Sequence, residues 1–188
     1  MTETNFLVDG QLSKSAYLEG RQCLKRLWLS RHAPELAVAD RGRATLAETS
    51  IAVTRHARAL FPGGVLVGDA DHDAGARTRA LVGDPAVPAI FDAAFEHDGI
   101  RVRIDVLARR ADGTWSLAEV KAGTHLRDVH LDDAAIQLYV ASGAGVDVAA
   151  VELLHVNAEY VRGATLDWAE FFVRTDVTTE AQIGRAHV

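Results

Sequence analysis

IRVRIDVLARRADGTWSLAEVK, residues 100–121, decides the fold. Two runs with alternating apolar positions flank Ala111-Asp112-Gly113, the composition of a three-residue hairpin loop with Gly113 in the left-handed position of a bulge. Such a loop pairs Arg110 with Thr114 and thereby sets Asp105 opposite Glu119. Residues two apart on a strand share a face, so Glu119 and Lys121 point one way and Val120 enters the other packing layer. Directly opposed carboxylates have Cβ atoms about 5 Å apart and repel each other. A divalent cation relieves that repulsion. Mg²⁺ or Mn²⁺ takes hard oxygen ligands, here Asp105, Glu119 and the Val120 carbonyl, with waters and a substrate phosphate completing the shell. Lys121 beside them suits charge stabilisation, and phosphodiester hydrolysis is the chemistry such a set supports. Glu-x-Lys triplets arise often by chance. The weight therefore rests on the spacing of Asp105, the apolar alternate positions and the helix that follows.

Outward from the hairpin, Ala89–Glu96 reads as a further strand joined to Arg101–Arg109 through Asp98-Gly99, and Thr114–Lys121 completes a three-stranded meander. A helix over Asp132–Ser142 and a buried strand over Val148–Asn157 follow, then the start of a last helix at Asp167–Phe172. Upstream, Ser13–Ser30 carries apolar residues near helical spacing, interrupted at Gly20 and ended by Pro34. A second helix runs from about Arg41 to Leu60, stopped by Phe61-Pro62-Gly63-Gly64. Val65–Val67 reads as a short strand and Asp73–Val82 as a short helix. The pattern predicts an α/β fold, a central mixed sheet with an antiparallel three-stranded meander flanked by helices. Residues 1–12 read as a loose leader, 13–177 as one domain (a helical lobe at 13–62 and a core at 63–177), and 178–188 as a tail. The last six residues, IGRAHV, read as a translated sequencing adapter, which implies a longer natural chain with a further C-terminal region.

Composition narrows the function classes. The net charge of −6 argues against indiscriminate nucleic-acid binding. Between Gln11 and Leu60, however, nine basic residues stand against four acidic ones, a local basic lobe that suits contact with a phosphate backbone. Arg21, Lys25, Arg26 and Arg31 are its candidate phosphate contacts. Trp28 suits either base stacking or a place in the core. The chain holds three lysines, Lys14, Lys25 and Lys121, against seventeen arginines. A lysine kept against that bias suits a place where a compact point charge is needed. No run of about 18 apolar residues exists to span a membrane. The single cysteine, Cys23, excludes an internal disulfide, and a reducing, cytoplasmic setting is the expectation.

Several segments resemble domain-of-unknown-function family 2779: LSKSAYLEGRQCLKRLWL (12–29), HARALFPGGVLV (56–67), residues 90–124 across the hairpins, DVHLDDAAIQLYV (128–140) and LLHVNAEYVRG (153–163). Their order, from about Leu12 to Val177, is the most specific part of the resemblance. That family is similar to RecB-type and CRISPR-associated exonucleases of the PD-(D/E)xK superfamily. The resemblance implies a restriction-endonuclease-like core and a divalent-metal nuclease acting on DNA, in repair or defence. Asp105 matches the motif aspartate, Glu119 and Lys121 the E-x-K, and Gln137 the helix glutamine. Tyr139 is the candidate for the class's substrate-contacting tyrosine, but it lies two residues from Gln137 and so off its helical face. A further metal ligand is implied on an early helix, for which Glu48 and His56 are the candidates. Cys23 matches the first thiolate of an iron–sulfur cluster whose other three cysteines this chain lacks. The alternative is a catalytically inactive module of the same fold that binds nucleic acid or a partner protein.

Overall fold

Both hairpin turns take the backbone that their residues favour. Asp98 and Gly99 have φ of 49° and 71° and join β3 (Ala89–His97) to β4 (Ile100–Arg109). Gly113, at φ 87°, closes the loop into β5 (Trp115–Lys121), with the Arg110 amide donating to the Thr114 carbonyl at 2.8 Å. Positive φ in succession matches the twist of the flanking strands and is the reason for Asp-Gly there. The β4–β5 ladder pairs Arg109 with Trp115, Ala108 with Ser116, Leu107 with Leu117 and Val106 with Ala118, the expected register.

The computed structural model describes residues 11–37, 41–68 and 73–186. Around the meander lie β1 (Leu12–Ser13), α1 (Lys14–Gln22), α2 (Leu24–His32), α3 (Arg41–Ala57), β2 (Val65–Leu66) and α4 (Ala74–Gly83). After it come α5 (Asp128–Gly143), β6 (Val148–Val156), α6 (Trp168–Phe171), β7 (Phe172–Asp176) and α7 (Thr178–Arg185). The strand order is β2-β3-β4-β5-β6-β7. Pairs β2–β3 and β5–β6 are parallel, and β3–β4, β4–β5 and β6–β7 are antiparallel, so the sheet is mixed as expected. No helix among the described residues is long and apolar enough to cross a membrane.

Apolar side chains cover both faces of the sheet. On one face, Ile104, Leu107, Leu117, Val151 and Leu153 pack with Ala134, Ile136, Leu138 and Val140 of α5, Leu81 of α4 and Ala181 of α7. On the other, Val106, Ala118, Val120 and Leu154 pack with Val53 and Ala57 of α3. Helix α1 joins the first face beside α5, with Tyr17 packed against the core there. The expected helical lobe over 13–62 is therefore two units. The sheet passes between α1 and α3, because each helix has its own apolar stripe to bury.

Four further expectations need correction. The leader gives way to structure at Leu12, whose amide donates to the Gly99 carbonyl at 2.7 Å as β1 pairs in parallel with β4; residues 1–10 of that leader lie outside the described residues. The first long helix breaks at Cys23, in extended conformation (φ −166°, ψ 115°), and not at Gly20. The helix expected through Phe172 is the single turn α6, and Phe172 opens an edge strand that extends the sheet. Residues 178–185 are not a tail: α7 docks on α5, with Ala181 fully buried and Gly184 so near Ala135 that an added Cβ would lie 2.7 Å from its methyl.

One rung is missing in the middle of the sheet. The β3–β4 ladder runs from Ala89↔Ala108 to His97↔Ile100 and skips Asp92 and Asp105. Phe91 and Ala93 consequently bury on opposite faces, as do Ile104 and Val106. Residues two apart normally share a face, so both strands kink together here. Asp92 takes up the kink with a φ of 56° and is held by Arg58 Nη2 at 2.9 Å.

Candidate active site

The kink lies where β4 changes neighbours. From Val106 to Arg109 it is flanked by β5, while its other end, at Ile100 and Arg101, is flanked by β1. Between them the strands part, and Asp105 lies at that opening. Its Oδ2 accepts a hydrogen bond from the Val120 amide at 2.8 Å. The amide and carbonyl of a strand residue in a hydrogen-bonded pair leave on the same side, so the Val120 carbonyl also faces β4.

Glu119 and Lys121 share one face of the sheet, as the sequence predicts, and it is the face that α5 covers. Lys121 Nζ lies 2.7 Å from Glu119 Oε1. Gln137 of α5 is fully buried, and its Nε2 donates to Glu119 Oε2 at 2.9 Å. Asp105, Glu119, Lys121 and Gln137 are thus brought together.

Two residues that the sequence reading did not assign to the site complete it. Asp133, one helical turn before Gln137, accepts from Gln137 Nε2 at 2.9 Å through Oδ1 and pairs with Lys121 through Oδ2 at 2.5 Å. Lys14, the first residue of α1, lies 3.1 Å from Glu119 Oε1 and 3.0 Å from Asp133 Oδ1. The signals for them were faint: i, i+4 spacing to Gln137 for Asp133, and lysine scarcity for Lys14. Every oxygen of Glu119 and Asp133 has a nitrogen partner within 3.1 Å.

The electrostatics divide the carboxylates. Burial pulls Glu119 toward its neutral form, but Lys14 and Lys121 outweigh it and hold the carboxyl below its ordinary range. Asp105 goes the other way: burial, then the charge of Glu119, pushes it up to about 7. Burial also disfavours charge on Lys14 and Lys121, yet Glu119 and Asp133 outweigh it and raise both. When Asp105 is ionised, Asp105, Glu119 and Asp133 together exceed Lys14 and Lys121 by one negative charge.

The donor set suits a hard divalent cation. Asp105 at the opening, Glu119 on the neighbouring strand and the Val120 carbonyl offer hard oxygens, and Mg²⁺ commonly needs no more from protein. The pressure on Asp105 to stay protonated marks charge that a cation would neutralise. Among the described residues, no group of three His, Cys, Asp or Glu is arranged to hold a metal.

The other candidates lie elsewhere. Glu48 and His56 belong to α3, across the sheet from Glu119. Both are exposed, and His56 stacks on Trp168 with ring centroids 4.3 Å apart. Neither supplies the early-helix ligand, because the sheet separates them from it. Tyr139 hydrogen-bonds Asp98 at the β3–β4 turn, 2.5 Å away, and does not join Gln137. In the basic segment, Arg21 pairs with Asp132 at 3.2 Å, and Arg26 bonds Gln22 and Glu19. Lys25 is exposed and Arg31 half-buried. Trp28 is 57% exposed, which removes the core role considered for it. Cys23 is exposed at the α1–α2 break and is the chain's sole cysteine, so this chain alone cannot furnish four thiolates to a cluster.

No family model matches the chain, and no curated protein does. Among solved structures, the fold is similar to that of SSO0001, at 13% identity over 98% of this chain and 76% of that one, with a TM-score of 0.51. An alkaline exonuclease, LHK-Exo from Laribacter hongkongensis, aligns at 12% identity over 95% of this chain and 87% of that one, with a TM-score of 0.48. The first likeness is one of fold alone, and the second is weaker still.

Proposed function

We propose that the chain is a divalent-metal-dependent nuclease that hydrolyses phosphodiester bonds of DNA, exonuclease-like, within the PD-(D/E)xK class and near family 2779. The observation that carries this reading is the meeting of Asp105, Glu119 and Lys121 where β4 and β5 part, with Gln137 fixed on Glu119. Asp105, Glu119 and the Val120 carbonyl would hold Mg²⁺ or Mn²⁺, which when bound neutralises phosphate charge and activates water. Lys121 offers its ammonium to the negative charge that develops on the phosphate. Gln137 holds Glu119 in a single orientation. Arg21, Lys25, Arg26 and Arg31 supply the backbone contacts, with Trp28 available to stack on a base. The family assignment rests on the sequence motifs.

Labelled single- and double-stranded DNA, incubated with Mg²⁺ or Mn²⁺, tests the proposal. Cleavage is expected to require the metal and to fall by about 100-fold or more in folded Lys121→Ala and Asp105→Ala proteins. Activity untouched by both substitutions would sink it. One observation favours the second reading, a non-catalytic module: the oxygens of Glu119 and Asp133 are already engaged by nitrogen donors. DNA binding without cleavage under any divalent metal would support that module.

A further inference from the structure

Lys14 has no part in the chemistry proposed above, yet it is held at its centre. The two-residue strand β1 pins it to the sheet, and α1 begins on it. Its ammonium bridges Glu119 Oε1 and Asp133 Oδ1, while that of Lys121 bridges the same Oε1 and Asp133 Oδ2. Four charges of alternating sign close a ring. An ammonium about 3 Å from two carboxylate oxygens does the work of a divalent cation with half the charge and longer contacts, since Mg²⁺ sits roughly 2.1 Å from its oxygens. With all three carboxylates ionised, the charge count sets the two in competition. Asp105, Glu119 and Asp133 against Lys121 leave a deficit of two positive charges, which a divalent cation fills completely. Lys14 fills half of it and would overfill it if it stayed beside the metal. A cavity of about 730 Å³ opens beside Lys14, lined also by Ser15, Glu96, Arg101 and Ala144, and gives its flexible stem somewhere to go.

We propose that Lys14 is a built-in counterion that holds the cation's place on Glu119 and leaves it when the divalent metal binds. The inference rests on the metal-binding reading of this site. Affinity for the metal is then set by Lys14 as well as by the ligands, since each binding event must first separate Lys14 from Glu119 and Asp133.

Calorimetric titration of the metal-free protein with MnCl₂ tests this directly, on the wild type, Lys14→Met, Lys14→Gln and Glu119→Gln. Lys14→Gln keeps amide donors over the same two carboxylates and removes the charge alone, which guards against misfolding. Both Lys14 variants are expected to bind Mn²⁺ about tenfold more tightly than the wild type, or better. Their melting temperatures should also rise more on adding the metal. A Lys14 variant that folds only with Mn²⁺ present supports the inference equally. Unchanged or weaker binding in both Lys14 variants, with binding lost in Glu119→Gln, overturns the role of Lys14 and leaves the metal site standing. Variants that fold neither with nor without Mn²⁺ make Lys14 a structural strut and overturn it too. No Mn²⁺ binding by any protein overturns the metal-site reading, and the inference with it.

Discussion

Asp105 takes the Val120 amide at 2.8 Å, the bond that continued strand pairing would give to the Ile104 carbonyl. In the β4–β5 register the hydrogen-bonded pairs are Arg110/Thr114, Ala108/Ser116 and Val106/Ala118, so Ile104/Val120 comes next. A carboxylate has replaced a backbone acceptor, and the strands open around it.

Asp105→Asn keeps that acceptor and removes the charge. The folded-state pKa of Asp105 stands at about 7, above its ordinary 3.8. Between those values the folded protein holds a proton that the unfolded chain has released, so this group's contribution to stability is lost as pH rises through the window. Metal-free Asp105→Asn should therefore exceed the wild type at pH 8 by on the order of a few kcal/mol, and the gap should close toward pH 4. Urea unfolding at pH 4, 6 and 8 measures it. A gap independent of pH would refute the argument.

Gln137→Leu probes the buried amide. Its Nε2 serves Glu119 Oε2 together with the side chain and carbonyl of Asp133. A leucine fits the space but leaves a buried carboxylate oxygen without its donor, at a cost of about 1–3 kcal/mol. Denaturant titration should show that loss, and a neutral result would mean the Gln137–Glu119 bond contributes nothing net.

Asp92 has a left-handed backbone inside a strand, at φ 56°. Asparagine tolerates that conformation and a β-branched residue does not. Asp92→Asn should lose only the half-exposed pair with Arg58, under about 1 kcal/mol. Asp92→Val should cost about 2–3 kcal/mol by adding backbone strain. Equal thermal midpoints for the two variants would contradict the strain account.

Arg109 ties β4 to the end of α4. Its guanidinium donates to the carbonyls of Val82, Asp84 and Val87 at 2.9, 2.8 and 3.0 Å and lies over the Trp115 ring at 4.1 Å. Lysine retains the charge but loses the planar fork and the stacking. Arg109→Lys should destabilise by about 1–2 kcal/mol, read by chemical unfolding. A variant as stable as the wild type would show that these contacts are replaceable.

The hairpin half of the site was legible because turn chemistry and strand parity are local. Gly113 fixes the register, the register sets Asp105 against Glu119, and alternation aims Lys121. Gln137 followed from resemblance. Lys14 and Asp133 were not assigned, since nothing local says that α1 packs beside α5 while α3 crosses to the opposite face. The same gap made Glu48 and His56 plausible ligands. Strand β7 and helix α7 were missed for different reasons. Phe172 followed helix-like residues, and 178–188 was read as a tail, its last six residues as adapter sequence, although Ala181 has a buried place to fill. The shared kink at Asp92 and Asp105 has no signature beyond two aspartates inside apolar strands.

The two lysines on Glu119 differ most in their distance along the chain. Lys121 is two residues away and Lys14 is 105 residues away. Closing a long loop costs more entropy than closing a short one, and contacts between near neighbours tend to form first. Glu119 therefore meets Lys121 early in folding and acquires Lys14 only when the N-terminal segment docks. Until then the acidic cluster is at its most electronegative, and on the metal-binding reading proposed above a protein refolded with divalent metal in solution should take up the ion on the way in, ahead of Lys14.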